Sequence, residues 1–235
     1  WPFQRGTAPA APAPSPRAEP PHTAHVSVVD AARNAVSLTF TVNTRMGSAV
    51  TVPGTGILLN NEMDDFSAAP GVPNAFGLVG GDANAVAPGK IPLSSMTPTL
   101  VLETPVDLRP TAPGRGDDPP ALAVPPDARL DLVVGAPGGS TIITTVLQVI
   151  LNVHAHGMNV VEAVAAPRVH HQWLPDVLRL EEGAATADAR RGLFARGHVM
   201  ATGGTWGNAT AVRVLADGTF HGASDPRGEG RPVAP

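Results

Sequence analysis

Four short blocks of this 235-residue chain carry hydroxyls, carboxylates and glycines in an order suited to acyl transfer. They are Thr23-Ala24-His25, residues 56–66 (GILLNNEMDDF), Pro92-Leu93-Ser94-Ser95-Met96 and Ala136-Pro137-Gly138-Gly139-Ser140. A threonine hydroxyl becomes a nucleophile once a base takes its proton. Glu62 and Asp65 stand three residues apart, so one turn would bring both carboxylates to one side, where they can hold an ammonium. A charge-assisted hydrogen bond of that kind contributes roughly 1.5–3 kcal/mol. The hydroxyls of Ser94 and Ser95 suit a carboxylate. Gly138 and Gly139 let backbone N–H groups approach a developing oxyanion at the start of a helix. Together these groups describe a site for a zwitterionic amino acid undergoing acyl transfer. Each block alone has an ordinary alternative: Thr23 as a strand-starting residue, Ser94 and Ser95 as a turn, Pro-Gly-Gly-Ser as a turn into a helix, Asp64 as a helix cap.

The elements that must position these groups follow from periodicity. Residues 25–30 and 35–43 alternate around a polar turn and predict a hairpin. On its second strand Val36, Leu38, Phe40 and Val42 face one side, and Ser37, Thr39, Thr41 and Asn43 the other. The polar row, taken alone, reads as a solvated face. Residues 57–60 read as a short apolar strand, followed by the acidic turn and a long glycine-rich loop, 70–90. Strands are expected at 98–103 and 129–135, with a Pro-rich surface insertion, 104–128, between them. Ser140 is a candidate N-cap for a helix over 141–153 whose apolar face holds Ile142, Ile143, Val146, Leu147 and Ile150. Asn159 and Glu162 have capping-box spacing for a second helix that stops at Pro167. Asp217-Gly218 between two apolar runs predicts a closing hairpin. The fold class is α/β, an α/β sandwich with too few elements for a symmetric four-layer fold in one chain.

The four blocks, in this order, resemble the small subunit of γ-glutamyltransferase, an N-terminal-nucleophile hydrolase, over residues 23–227. The resemblance implies part of an αββα sandwich completed by a large subunit of the same precursor. It implies that Thr23 is the catalytic nucleophile and that its own freed α-amine, with an ordinary pKa of about 7.7–8.0, is the base. Thr41 would orient the Thr23 hydroxyl, and Gly138 and Gly139 would form the oxyanion hole. Asn43, Glu62 and Asp65 would bind the donor ammonium, and Ser94 and Ser95 its carboxylate. The loop 70–90 would be a lid, with Phe76 where some members carry a tyrosine gate. A glutathione-like donor would acylate Thr23, and water or an amino acid or peptide amine would accept the group. Residues 1–22, rich in Pro and Ala, would be the flexible tail of the preceding subunit, released by cleavage between His22 and Thr23, and residues 23–235 the catalytic small-subunit domain. A periplasmic or extracellular location would follow. The nearest enzymatic alternative is a β-lactam side-chain (glutaryl) acylase of the same superfamily, which Glu62 and Asp65 argue against. A non-catalytic, unprocessed binding partner is the alternative of another class.

Composition narrows the remaining classes. A net charge of −4 without a long basic run gives no support for nucleic-acid binding. The absence of cysteine excludes disulfides, thiolate zinc and a cysteine nucleophile. The longest apolar stretch, 142–153, is too short and too polar to span a bilayer. No cofactor is implied, and no metal: His154, His156, His170 and His171 have no carboxylate at ligand spacing and are expected to be structural or solvated. Trp173 is expected in the core.

Overall fold

The computed structural model describes residues 23–67, 69, 71–104, 125 and 127–234. The expected tail, 1–22, and nearly all of the expected insertion, 104–128, lie outside the described residues. The chain opens with an antiparallel hairpin, β1 (Thr23–Val29) and β2 (Ala35–Thr41), in which Thr23 stands opposite Thr41. Its turn is closed by Asp30, whose carboxylate accepts from the Asn34 backbone and side chain at 2.8 Å each, and by Arg33 at φ 67°.

The central sheet has the order β3-β4-β8-β9, formed by β3 (Thr99–Glu103), β4 (Arg129–Gly135), β8 (Thr210–Val214) and β9 (Phe220–Ser224), all antiparallel. The last pair is the expected hairpin. Gly218 takes φ 90° there, and Asp217 Oδ1 accepts from Thr219 N at 2.9 Å. One face of this sheet is covered by α1 (Ile142–His154) and α2 (Val160–Ala165). Leu132, Val134, Ala211 and Ala223 from the strands close on Ile142, Val146, Val149, Val153, Val160, Ala163 and Val164 from the helices to form the apolar core. The capping box of α2 is present in full: Glu162 N meets Asn159 Oδ1 at 3.0 Å and Asn159 N meets Glu162 Oε2 at 3.2 Å.

The first hairpin lies on the opposite face of the sheet, against β4 and β8. Its orientation reverses the expected one. The hydroxyl row turns inward, with Thr39 buried, while Val36, Leu38 and Phe40 face out, Phe40 at 55% exposure. Ser37 Oγ donates to Val134 O at 3.0 Å and accepts from Thr99 N at 3.1 Å, and Ser27 Oγ donates to Thr210 O at 3.1 Å. The described residues therefore supply a helix layer and two strand layers, and among them nothing covers the outer face of the hairpin. A second apolar stripe, Ile143, Leu147 and Leu151, is exposed on α1, so its buried face is narrower than the apolar run suggests.

A smaller sheet, β5 (Val169–His170), β6 (Leu178–Leu180) and β7 (Met200–Thr202), pairs β6 and β7 in parallel around α3 (Ala187–Ala195). It is bolted to the core by buried charges. Arg168, 2% exposed, donates to Asp225 Oδ2 at 2.5 Å, Trp206 O at 2.6 Å and Val164 O at 2.8 Å. Arg227 bonds both Asp225 and Glu181, and Glu181 accepts from the backbone N–H of Arg168 and of Trp206. Buried ions of this kind persist only when paired and hydrogen-bonded. Trp206 is the buried tryptophan here. Trp173 is 66% exposed at a left-handed φ of 71°, contrary to the core position expected for it. Two further expectations change. Residues 57–60 form no regular strand, only an isolated bridge from Leu58 to Thr51. Ser140 does not cap α1, because residues 139–141 form a 3-10 turn in which Thr141 donates to Gly138 O.

Candidate active site

The hairpin brings Thr23 and Thr41 side by side, with the Thr23 hydroxyl donating to Thr41 Oγ1 at 3.1 Å. Thr41 Oγ1 also accepts from Asn43 N at 2.8 Å. With a lone pair held by that amide, the Thr41 proton is free to swing to Thr23 Oγ when charge develops there. Asn43 is buried at φ 74°, a left-handed conformation that asparagine tolerates better than most residues. Its side chain donates to Asn61 O at 3.2 Å, while Asn61 Oδ1 accepts from the Thr44 N–H and hydroxyl, each at 3.1 Å. Asn61 thus clamps the exit of β2 to the acidic turn that follows it.

That turn, Glu62–Asp65, is a 3-10 helix. Three residues per turn eclipse side chains i and i+3, which puts the two carboxyl groups together as their spacing predicts. Burial, then the hydrogen bond and charge of Asp65, push the Glu62 carboxyl up to about 7. Burial raises Asp65 as well, opposed by the Glu62 hydrogen bond and reinforced by the charge of Asp64. Glu62 Oε1 is buried and meets no hydrogen-bond partner among the described residues. A buried, unpaired carboxylate oxygen beside a second acid is matched by a cation with N–H donors. Asp64 does not cap the turn. Its side chain accepts from Ala75 N at 3.1 Å, and its carbonyl from Asn74 Nδ2 at 3.4 Å, so it anchors the following loop.

In that loop Asn74 Oδ1 accepts from the N–H of both Phe76 and Leu78 at 3.0 Å. This sets the Phe76 ring against Gly139, where a methyl group would come within 2.6 Å of Phe76 Cδ1. Gly139 has φ 56° and Gly138 φ 142°, so both need glycine for backbone reasons too. Gly138 O accepts from Thr141 N at 3.1 Å and Thr141 Oγ1 at 2.8 Å, fixing the turn ahead of α1. The expected lid residue and one of the expected oxyanion glycines are thereby in contact.

Ser94 and Ser95 are held near this group through Asn84. Its Nδ2 donates to Asp65 O at 2.7 Å and its Oδ1 accepts from Leu93 N at 3.0 Å. Ser94 Oγ accepts from Met96 N at 3.2 Å, and Met96 packs on the core. Neither serine hydrogen-bonds Thr23, Glu62 or Asp65. The asparagines 61, 74 and 84 were not singled out in the sequence. Their only signal is that each stands in a turn-rich loop beside a candidate residue, where side chains often satisfy backbone groups. The histidines take structural partners: His154 meets Asp131 at 3.1 Å, His171 meets Asp176 at 3.1 Å, and His170 bridges Thr144 and Gln172. A hollow of about 270 Å³ at Arg33, Glu103, Arg129 and Arg213 has none of the candidate residues in its lining.

Comparison with known proteins gives the chain its relatives. The sequence model of the gamma-glutamyltranspeptidase family matches residues 4–112 and 119–234. The unmatched residues between them fall inside the Pro-rich stretch 104–128. The glutathione hydrolase proenzyme of Escherichia coli (strain K12) is 49% identical over 205 residues, covering 87% of this chain and 31% of that protein. The glutathione hydrolase proenzyme of Pseudomonas aeruginosa is 45% identical over 219 residues, covering 92% of this chain and 35% of that protein. The chain thus spans about one third of the length of these relatives. A crystal structure of a Helicobacter pylori gamma-glutamyltranspeptidase mutant superposes with a TM-score of 0.73 at 48% identity, covering 87% of this chain and 99% of that one.

Proposed function

The chain belongs to the γ-glutamyltranspeptidase family, and from that premise we propose that it supplies the small-subunit domain, residues 23–235, of an enzyme that moves a γ-glutamyl group from a glutathione-like donor through a Thr23 ester. The observation that carries this reading is the pairing of the Thr23–Thr41 hydroxyl contact with a neighbouring acid pair whose Glu62 Oε1 lacks a partner among the described residues. One group suits a nucleophile and the other suits the α-ammonium that distinguishes a γ-glutamyl donor from a simple acyl donor.

Maturation comes first. Thr23 Oγ attacks the His22 carbonyl carbon, the C–N bond to Thr23 breaks, and the ester that forms is hydrolysed. The products are a carboxylate on His22 and a free α-amine on Thr23. That amine then takes the Thr23 hydroxyl proton as Oγ attacks the donor's γ-carbonyl. The N–H groups of Gly138 and Gly139 face the oxyanion, and Thr41 gives its hydrogen bond to Oγ. As the tetrahedral adduct collapses, the amine leaving group receives the proton and Thr23 holds the γ-glutamyl ester. Water then gives hydrolysis, and an amino acid or peptide amine gives transpeptidation. Glu62, Asp65 and Asn43 hold the donor ammonium, Ser94 and Ser95 its carboxylate, and Phe76 closes over Gly139.

The partner is the large subunit of the same precursor, and the outward Val36, Leu38 and Phe40 face is the surface it would cover. No helix among the described residues is long and apolar enough to cross a membrane. A periplasmic or extracellular site of action is part of the same proposal. Intact mass of the protein expressed with its upstream region tests the reading. A split between His22 and Thr23, abolished in Thr23→Ala, is expected; a folded chain that stays whole would refute it. Equal turnover of glutaryl and γ-glutamyl donors would instead favour the acylase reading.

A further inference from the structure

Next to the nucleophile pair, the hairpin holds a second cross-strand pair that the scheme above leaves unused. His25 stands opposite Thr39, as Thr23 stands opposite Thr41. Its imidazole is fixed at both nitrogens: Nδ1 lies 2.7 Å from Thr39 Oγ1 and Nε2 3.0 Å from Ser27 Oγ. Ser27 commits its proton to Thr210 O at 3.1 Å, so towards His25 it can only accept. Nε2 therefore carries the hydrogen, and Nδ1 accepts from the Thr39 hydroxyl. Burial lowers the His25 pKa to about 4, which keeps this single neutral tautomer at physiological pH.

The ring also rests on the central sheet at Gly135, the last residue of β4. A methyl group there would lie 2.1 Å from His25 Cε1 and 2.4 Å from Nδ1. Gly135 does not lie in the left-handed region, so its glycine serves space for the ring and not backbone freedom. Gly135 precedes Gly138 by three residues, and His25 follows Thr23 by two. At about 3.3 Å of rise per strand residue, the contact lies within a few residues of both reacting groups.

We propose that His25 is a positioning residue for the γ-glutamyl transfer: its imidazole, wedged between β1 and Gly135, sets the separation of the Thr23 hydroxyl from the Gly138–Gly139 turn. The hairpin meets the sheet here through directed hydrogen bonds and one ring, where interdigitating aliphatic side chains would leave more play. A misplacement of 1 Å at reacting atoms costs on the order of 100-fold in rate. The inference rests on the Thr23 ester reading and adds to it a group that touches neither substrate nor proton.

The test uses the enzyme matured from its full precursor, with a γ-glutamyl anilide as donor. In His25→Ala, kcat and the rate of cleavage before Thr23 are both expected to fall by about 10- to 100-fold, with KM within about threefold of wild type and the pH at which the acid limb of the rate profile bends unchanged. Gly135→Ala, which displaces the ring while keeping it, is expected to reproduce the loss. Ser27→Ala, which frees one end of the ring, should fall between. Wild-type kcat in a folded His25→Ala would overturn the proposal, because the ring would then be packing alone. A shifted or lost acid limb would overturn it too, because the ring would then carry a proton. Should His25→Ala fail to fold, wild-type kcat in both Gly135→Ala and Ser27→Ala would be the refuting result. A wild-type enzyme that releases no γ-glutamyl product refutes the Thr23 reading itself, and this inference with it.

Discussion

Glu62→Gln tests the proposed ammonium site most directly, because Glu62 combines a buried oxygen without a partner among the described residues and a carboxyl raised into the range of an activity assay. With its carboxyl raised to about 7, Glu62 is about one-tenth ionised at pH 6 and nine-tenths at pH 8. An ionised Glu62 would donate nothing and accept from the donor ammonium, a charge-assisted bond contributing roughly 1.5–3 kcal/mol, or about 10- to 150-fold in kcat/KM. On the proposed reading the freed Thr23 amine would titrate in the same range, about 7.7–8.0 when unperturbed, and would obscure a simple rate profile. The assay therefore measures kcat/KM for a γ-glutamyl anilide and for the matching glutaryl anilide, which lacks the α-amine, and follows their ratio. Effects on the base cancel in that ratio. In the wild type it should rise by about 5- to 10-fold from pH 6 to pH 8, as the free enzyme ionises Glu62. In Glu62→Gln it should be lower at pH 8 by about 10- to 150-fold, and nearly flat. A wild-type ratio that is flat over this range and unchanged by the substitution would refute the assignment of Glu62 to the ammonium.

The same group should cost the fold stability. Its carboxyl holds a proton in the folded state at pH values where the unfolded chain, near the ordinary 4.5, has released it, so stability falls as pH rises from about 4.5 through 7. Glu62→Gln should therefore melt above the wild type at pH 8 and close to it below pH 4.5, by differential scanning calorimetry; a lower melting temperature at pH 8 would contradict this. Asn84→Ala removes the bonds to Asp65 O and Leu93 N and should raise donor KM by about 5- to 150-fold with kcat nearly kept, since each bond contributes roughly 0.5–1.5 kcal/mol. Arg168→Met leaves Asp225 buried without this partner and should lose about 3–5 kcal/mol in denaturant unfolding, on the order of 6–20 °C in Tm.

What the sequence revealed and concealed divides along the range of the interaction. The Asp217-Gly218 hairpin, the Asn159–Glu162 capping box and the Glu62–Asp65 turn are local, and each appears where its spacing places it. Alternation in β2 showed that its two faces differ but not which one is inward. A strand between a polar sheet contact and an uncovered layer inverts the usual assignment, and only the partners of Ser37 and Ser27 reveal that. Strands β5 to β7 are two or three residues long, too short for any period to register. The charges that bolt β6 to the core, Arg168, Glu181, Asp225 and Arg227, are scattered along the sequence, and nothing local marks them as partners. In the candidate site, the residues that bear the proposed chemistry were legible by type, while those that hold them, His25, Asn61, Asn74 and Asn84, were not, because side chains that satisfy backbone or hydroxyl groups have no distinguishing spacing.

The hairpin that begins at Thr23 pairs with no other strand among the described residues. A two-stranded ribbon is marginally stable alone, and this one is tethered by hydrogen bonds on one face and awaits cover on the other. On the proposed reading, that loose attachment becomes a matter of timing. The central sheet and its helices can close first, and the ribbon locks only when Val36, Leu38 and Phe40 are roofed over. Scission before Thr23 then certifies a finished molecule, and a half-built one stays shut and inert. Backbone amides of β1 and β2 should accordingly exchange with deuterium well before those of β4, and slow sharply once the covering layer is in place.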